Sequence, residues 1–298
     1  LMNSFYGVLG TPGCRFFDSR LPSSITLRGH DILTRSKDFI EDRGYRVIYG
    51  DTDSVFVWLE GQPKDTATKA IQEQGKTLAS ALNTWWSDQL KTKYQLESHL
   101  EIEFETHFKR FIMPTIRGSD RGSKKRYAGL VETLTDTGSE LDLVFKGLET
   151  VRTDWTLVAR EFQRELYRRI FYEEPWKDYV TQITNEIRSG KRDEQLVYRK
   201  RLRRRLEEYQ RNVPPHVRAA RIADEQNALK GLPLKYQRGG WVQYVMTLNG
   251  PEPIEYIRNP LDYELYIERQ IEPIADGILQ FLGTSFNALF DRQLGMFE

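Results

Sequence analysis

Asp51 and Asp53 stand two residues apart in the run Tyr49-Gly50-Asp51-Thr52-Asp53-Ser54, between stretches rich in β-branched and aromatic residues at 45–49 and 54–59. Two such stretches joined through Gly50, Asp51, Thr52 and Asp53 predict a β-hairpin with both carboxylates near its tip. Two unscreened carboxylates held close together repel. A divalent cation removes that penalty, and Mg²⁺ favours carboxylate oxygens combined with substrate phosphates. Two-metal phosphoryl transfer, with ions about 3.5–4 Å apart on the attacking and leaving oxygens, is chemistry that such a mount supports. Taken alone, Asp-Thr-Asp reads first as an ordinary surface turn, because Asp favours turns. Nucleotide-sugar transferases also hold a metal on Asp-x-Asp.

Two basic clusters follow. Residues 117–127 carry five basic side chains (Arg117, Arg121, Lys124, Lys125, Arg126) against Asp120, and Tyr127 closes the run. From Arg199 to Arg221 there are nine Lys or Arg, among them Arg199, Lys200, Arg201, Arg203 and Arg204, against two Glu, with Tyr198 and Tyr209 interleaved. Such residues neutralise phosphates or reach minor-groove edges, while the rings pack on sugar or phosphate. The plain alternatives are a solvated loop for the first cluster and a helix with a basic solvent face for the second. Total charge does not choose between them, since 44 basic residues face 43 acidic ones.

The single Cys14 cannot form an internal disulfide, and His30, His99, His107 and His216 lack metal-ligand spacing. A reducing cytoplasm and no structural zinc are expected. No run approaches the roughly 20 apolar residues that span a bilayer, and no charged-then-apolar leader opens the chain.

The elements that must position these residues follow from periodicity. The chain has 298 residues, 39% of them hydrophobic, enough for one large domain or two ordinary ones. Pro22, Ile25, Gly29, Ile32, Ser36, Phe39 and Ile40 predict an amphipathic helix, stopped by Gly44, with small residues at close contacts. Lys64 to Leu90 predicts another, with Ala67, Ile71, Leu78, Leu82, Trp85 and Trp86 on its buried stripe. Residues from about 100 to 148 return to strand character, turning at Thr135-Asp136-Thr137-Gly138. From near residue 150 long helical segments dominate: Asp154 to Phe171, Pro175 to about Gly190, and a last long helix after Pro260, with a hairpin expected through Gly239-Gly240. The fold class is α+β. Leu1 to Gly7 read as the middle of an element without an N-cap, so the chain is expected to begin inside a larger protein.

Five runs carry a family resemblance. Tyr49 to Ser54 closely resembles motif C, the metal-binding hairpin of family B DNA polymerases. Asn3-Ser4-Phe5-Tyr6-Gly7 resembles the end of motif B, the fingers helix facing the incoming nucleotide. Lys124-Lys125-Arg126-Tyr127-Ala128-Gly129 resembles the motif that holds duplex product. The segment from Phe145 to Trp155 is similar to the family's palm-to-thumb junction, and Tyr198 to Arg204 with Val213 to Ala220 resembles its thumb. The likeness, strongest to bacterial members, runs from Asn3 to Phe297.

The resemblance implies the end of the fingers over residues 1–20, a mixed α/β palm bearing the Asp hairpin over 21–150, and a mostly helical thumb over 151–298. It further implies two Mg²⁺ ions, deoxynucleoside triphosphates, primer-template DNA, and a place in replication and repair in the bacterial cytoplasm at the nucleoid. Asp53 is favoured over Asp51 as the direct ligand of both ions, and Asn3 and Tyr6 fall on the nucleotide side. Lys124, Lys125, Arg126, Tyr127, Arg152, Arg199, Lys200, Arg201, Arg203 and Arg204 fall on the DNA side. Arg152 also reads as the ion-pair partner of Asp154. Glu103 and Glu105, on an expected neighbouring strand, read as partners of surface cations, with an accessory metal carboxylate as the alternative. The tail Gln293-Leu294-Gly295-Met296-Phe297 resembles the peptide with which bacterial polymerases dock on the sliding clamp, through Gln293, Leu294, Met296 and Phe297; periodicity alone makes it the last turn of a core helix. The family's motif A Asp would precede Asn3, and its motif B lysine would fall just before Leu1. The chain is therefore expected to be a fragment, inactive by itself, with a duplex-binding module as the non-catalytic alternative.

Overall fold

The computed structural model describes residues 2–59, 68–114, 125–135 and 138–294, with side chains from residue 6 to residue 290 among them. The described residues up to 107, with 132–140, pack as one compact unit; those of 108–131 and from 141 onward pack as a second.

The first unit contains α1 (Met2–Leu9), α2 (Arg20–Glu41), the strands β1 (Arg46–Asp51) and β2 (Ser54–Trp58), and α3 (Thr68–Tyr94). Pro22 sits in the first turn of α2, where its missing N–H costs no helical bond. Burial on α2 is confined to its C-terminal part, at Ser36, Phe39 and Ile40, which pack with Leu82 and Trp86 of α3 and with Val47, Val55 and Val57 of the hairpin. The indole N–H of Trp86 donates to Ser36 Oγ at 2.8 Å, satisfying the only polar atom of a side chain that is 1% exposed. Truncating Trp86 to Ala would cost about 3–5 kcal/mol.

The close contact expected at Gly29 is absent: a Cβ there would meet nothing within 4 Å, and Ile25 and Leu27 are exposed. Periodicity marks the apolar face of a helix but not how far along it a partner reaches. The stripe of α3 is as expected at Ile71, Leu82 and Trp86, which are buried; Lys64 to Ala67 fall outside the described residues.

The strands expected from about residue 100 begin later, as β3 (Phe108–Ile112), β4 (Tyr127–Thr135) and β5 (Gly138–Lys146), in the sheet order β3-β4-β5. Glu103 and Glu105 therefore do not lie on a strand; both are exposed on an irregular segment. The Asn83 amide of α3 donates to the Ile102 carbonyl at 2.8 Å and accepts from its N–H at 2.9 Å, so a side chain takes the backbone groups that a ladder would have used.

The second unit continues with α4 (Leu157–Phe171), α5 (Lys177–Arg188), β6 (Tyr198–Leu202), α6 (Pro215–Leu229), β7 (Gly240–Thr247), β8 (Gly250–Pro253), α7 (Tyr263–Tyr266), α8 (Glu272–Leu279) and α9 (Phe286–Leu294). α4 starts three residues later than Asp154 because Thr156 caps it, its hydroxyl accepting from the Ala159 N–H at 3.4 Å. Gly239-Gly240 does not turn a hairpin but opens β7, where Gly239 (φ 95°) passes close to the Leu202 carbonyl. The hairpin turns at Leu248-Asn249, between β7 and β8.

The single helix expected after Pro260 is broken. A π-helical turn over Ile267–Ile271 precedes Pro273, whose ring has no N–H for the regular ladder, and Gly283 (φ 69°) ends the next segment in the left-handed region. One apolar core lies among α4, α5 and α8, and a second between α6 and the sheet β6-β7-β8. Tyr198 joins them, stacked on Tyr244 at 5.1 Å and on Tyr266 at 5.6 Å. The class is α+β, as expected. No helix among the described residues is long and apolar enough to cross a membrane.

Candidate functional site

β1 and β2 pair antiparallel in the register Asp51↔Ser54, which leaves Thr52 and Asp53 as the turn. Gly50 seats the hairpin on α2, since a Cβ there would come within 3.3 Å of the Leu33 side chain. Asp51 ends the strand and Asp53 lies in the turn, its N–H donating to the Asp51 carbonyl at 2.6 Å. The Thr52 hydroxyl donates to Asp51 Oδ1 at 3.0 Å and Ser54 Oγ donates to the Asp51 carbonyl at 3.3 Å. Thr52 has φ 52°, the left-handed region that a β-branched residue avoids. Local strain of that kind, about 1–3 kcal/mol, accumulates where function fixes the backbone.

The hairpin thus brings Asp51, half-buried, and Asp53, exposed, to one tip. Their oxygens are the hard donors Mg²⁺ prefers. Among the described residues no group of three or more His, Cys, Asp or Glu converges as a metal cage.

In α1, Tyr6 is exposed and its hydroxyl shares a 2.7 Å hydrogen bond with Thr26 Oγ1 of α2; Asn3 lies one turn earlier, its side chain outside the described residues. Lys124 is also outside them. Lys125 is exposed with φ 64°. Gly147 (φ 60°) packs on the Lys125 carbonyl so closely that a Cβ would overlap it. Arg126 pairs with the buried carboxylate of Glu149, which also accepts from Gln163 Nε2 of α4 at 2.7 Å. Gln163 Oε1 in turn accepts from the Thr150 N–H at 2.8 Å and hydroxyl at 2.7 Å. Tyr127 opens β4 against the rings of Phe108 and Phe111.

Arg152 and Asp154 form the expected ion pair, doubly bonded at 3.0 and 2.8 Å. The guanidinium holds the Asp154 carboxyl below its ordinary range, and the carboxylate raises Arg152 in return.

Further along, the basic run starting at Tyr198 is a strand. Alternation places Arg199 and Arg201 on the exposed face of the sheet, while Lys200 is half-buried on the side of Tyr198 and Leu202. Arg199 lies over the exposed Trp241 ring at 4.5 Å. Arg203 and Arg204 are exposed, and their N–H groups donate to the Tyr209 hydroxyl at 3.1 and 3.3 Å. Tyr198 is a core residue, its hydroxyl pushed up to about 12 by burial. Tyr209 holds the backbone of the arginine loop. Neither ring is placed as a surface contact, because both are used internally.

The end of the chain is helical through Leu294, with Phe286 buried and its ring 4.9 Å from Phe290. Gln293 and Leu294 belong to α9 but their side chains, like all of Met296 and Phe297, are outside the described residues.

Comparison with known proteins gives this arrangement a family. The sequence pattern described as DNA polymerase family B matches residues 1–280. The chain belongs to the family B DNA polymerases. DNA polymerase II of Escherichia coli (strain K12) is 57% identical over 297 residues, covering 100% of this chain and 37% of that protein. DNA polymerase of Thermococcus kodakarensis is 27% identical over 94% of the chain and 16% of its own length. The DNA polymerase alpha catalytic subunit of Mus musculus is 26% identical over 93% of the chain and 19% of its own length. The chain thus spans no more than 37% of these relatives.

In this family B chain, three residues with a bearing on the site escaped the reading of the sequence. Glu149 had a signal, an acid between Leu148 and Val151, where apolar residues predict burial. Gln163 and Trp241 had none, since their partners Glu149 and Arg199 are 14 and 42 residues away and only the fold joins them.

Proposed function

We propose that the chain supplies half of the metal-binding carboxylates, and the primer-template grip, of a DNA-directed DNA polymerase. The observation that carries this reading is the strained turn Asp51-Thr52-Asp53 at the tip of a hairpin, in a chain of this family. Two Mg²⁺ ions, when bound, would stabilise the attacking and leaving oxygens of deoxynucleotidyl transfer. Asp53, exposed in the turn, is the direct ligand, and Asp51 lies nearer the periphery. A further carboxylate comes from the motif A strand that the family places before Asn3. Asn3 and Tyr6 face the nucleotide. The segment from Lys124 to Tyr127, Arg152, and the run Arg199, Lys200, Arg201, Arg203 and Arg204 meet the duplex by neutralising phosphate. Residues 1–20, 21–150 and 151–298 serve as fingers end, palm and thumb. Gln293, Leu294, Met296 and Phe297 dock on a sliding clamp, where an unbranched Met replaces a Leu in an apolar groove and tethering raises the local concentration at the primer end.

Primer extension tests the reading. Full-length protein with primed template, Mg²⁺ and deoxynucleotides should extend, and Asp53→Ala should abolish extension while duplex binding persists. The 298-residue chain alone should bind duplex but give no product above background. Undiminished extension by the Asp53→Ala protein would overturn the assignment.

A further inference from the structure

The exposed face of the sheet β6-β7-β8 sets two cations beside an aromatic ring. Strand alternation turns Arg199 and Arg201 of β6 and Trp241 and Gln243 of β7 outward, and the register Arg199↔Gln243 and Arg201↔Trp241 makes the four neighbours. Trp241 is 46% exposed and belongs to neither core of this unit. A single exposed ring is ordinary on a protein surface. Its contact is what distinguishes this one: the guanidinium carbon of Arg199 lies 4.5 Å from the ring centroid, reached along the diagonal of the sheet, while Arg201 stands straight across.

This contact differs in kind from those of two other arginines in the same unit. Arg152 spends two donors on Asp154, at 3.0 and 2.8 Å, and Arg126 is bonded to the buried Glu149. Arg199 enters no ion pair among the described residues; what holds it is the ring. A ring attracts a cation through its quadrupole and offers no lone pair, so the guanidinium is oriented while its N–H donors remain for an anion. A phosphate matches that fork of donors. The ring has a firm mount, because β7 is the central strand, paired with β6 on one side and β8 on the other. A free arginine side chain loses rotamer freedom when it meets a ligand; one already laid on a ring has less to lose.

We infer that Trp241 is a positioning residue for duplex binding: it holds the Arg199 guanidinium on the sheet face in the orientation that meets phosphate. This rests on the reading of Arg199 as part of the duplex grip. Trp241 acts through Arg199 and needs no contact of its own with the nucleic acid. Trp241→Leu should therefore weaken duplex binding by about two- to tenfold, the ordering cost of one long side chain. Trp241→Phe, which keeps an aromatic face with a weaker pull on the cation, should fall between Leu and wild type. Arg199→Gln should weaken binding and flatten the log–log salt slope by about 0.9, as one phosphate loses its cation. With Arg199→Gln in place the ring has nothing to position, so adding Trp241→Leu should change nothing further.

The experiment measures the affinity of the full-length protein for a primer-template duplex over a salt series, for wild type, Trp241→Leu, Trp241→Phe, Arg199→Gln and the double variant Trp241→Leu with Arg199→Gln. Thermal melting confirms that each is folded at the binding temperature. Trp241→Thr, a good strand former without a ring, stands in should Trp241→Leu not fold. A loss in Trp241→Leu that disappears in the Arg199→Gln background supports the inference. An equal loss in both backgrounds overturns it, since the ring then acts independently of Arg199. Full-strength binding in Trp241→Leu, alongside weaker binding in Arg199→Gln, also overturns it and leaves the duplex grip standing. Unchanged affinity and slope in Arg199→Gln overturn both the inference and the placing of Arg199 on phosphate.

Discussion

Asp51 and Asp53 are brought together by a turn closed within Asp51–Ser54, whereas Arg126 is placed by a carboxylate 23 residues away. In the acidic turn the work is done by backbone: one N–H···O bond of 2.6 Å, a strained φ at Thr52, and a glycine that admits Leu33. In the basic segment it is done by a buried carboxylate, a buried amide and a glycine pressed on a carbonyl. The difference follows from what each must hold. Two like charges at a tip need a rigid local frame, because their repulsion would open a loose one. A cation at the end of a long, flexible side chain needs only a fixed base, and a distant anchor provides it.

The two glycines allow a direct test of that contrast. Gly147→Ala puts a Cβ into the Lys125 carbonyl and asks Ala to adopt φ 60°. We expect a loss of about 1–3 kcal/mol in stability, with weaker duplex binding in parallel. Gly50→Ala meets the movable Leu33 side chain at 3.3 Å and the Ser54 carbonyl at an ordinary 3.6 Å, with no left-handed φ required, and should cost less than about 1 kcal/mol. Thermal and denaturant unfolding of the two variants measures both. Equal losses would mean that the hairpin is no more locally supported than the basic segment.

A second test sharpens the comparison within the basic residues. Arg199 and Arg201 share the exposed face of β6, while Lys200 faces the other way. Arg199→Gln combined with Arg201→Gln should flatten the log–log salt slope of duplex binding by about 0.9 for each phosphate left without its cation. Lys200→Gln, on the half-buried side of the strand, should flatten it by less than either arginine. A salt series on the three proteins decides, and an equal effect of Lys200→Gln would mean that strand alternation does not select the residues that meet phosphate.

The acidic turn was legible in the sequence because the signals that predict it lie within residues 45–59: flanking β-branched runs, Gly50, and two Asp at a spacing of two. The helices α2, α3, α4 and α5 were legible for the same reason, as periodicity and Pro or Gly boundaries are local signals. What was not legible depended on distant partners. Asn83 diverts the segment at Ile102 from strand pairing, so Glu103 and Glu105 were given a strand they do not have. Tyr198 and Tyr209, read as sugar or phosphate contacts, are claimed by Tyr244 and Tyr266 and by the backbone of Arg203 and Arg204. The break before Pro273 and the true turn at Leu248-Asn249 were masked by stronger signals nearby, the apolar period after Pro260 and the Gly239-Gly240 pair.

The smallest expected effect lies between the two regions in kind: Arg152 and Asp154 are two residues apart, like the Asp pair, but oppositely charged and bonded side chain to side chain. Asp154 is held below its ordinary value of 3.8 chiefly by the Arg152 hydrogen bonds, with burial opposing. A carboxylate lowered in the folded state stabilises the fold above its unfolded value, and that contribution is lost as pH falls through the folded one. The pair should therefore contribute fully at neutral pH and fade below pH 3.8. Since the side chains are 49% and 38% exposed, solvent screening limits the gain to no more than about 1 kcal/mol. Asp154→Asn should accordingly lower stability slightly at pH 7, less so in high salt, and the difference from wild type should close in acid as the native carboxylate takes up its proton. Urea unfolding of both proteins at several pH values measures this. A difference that persists unchanged below pH 3 would show that Asp154 acts through the shape of the junction after Gly147, and not through its charge.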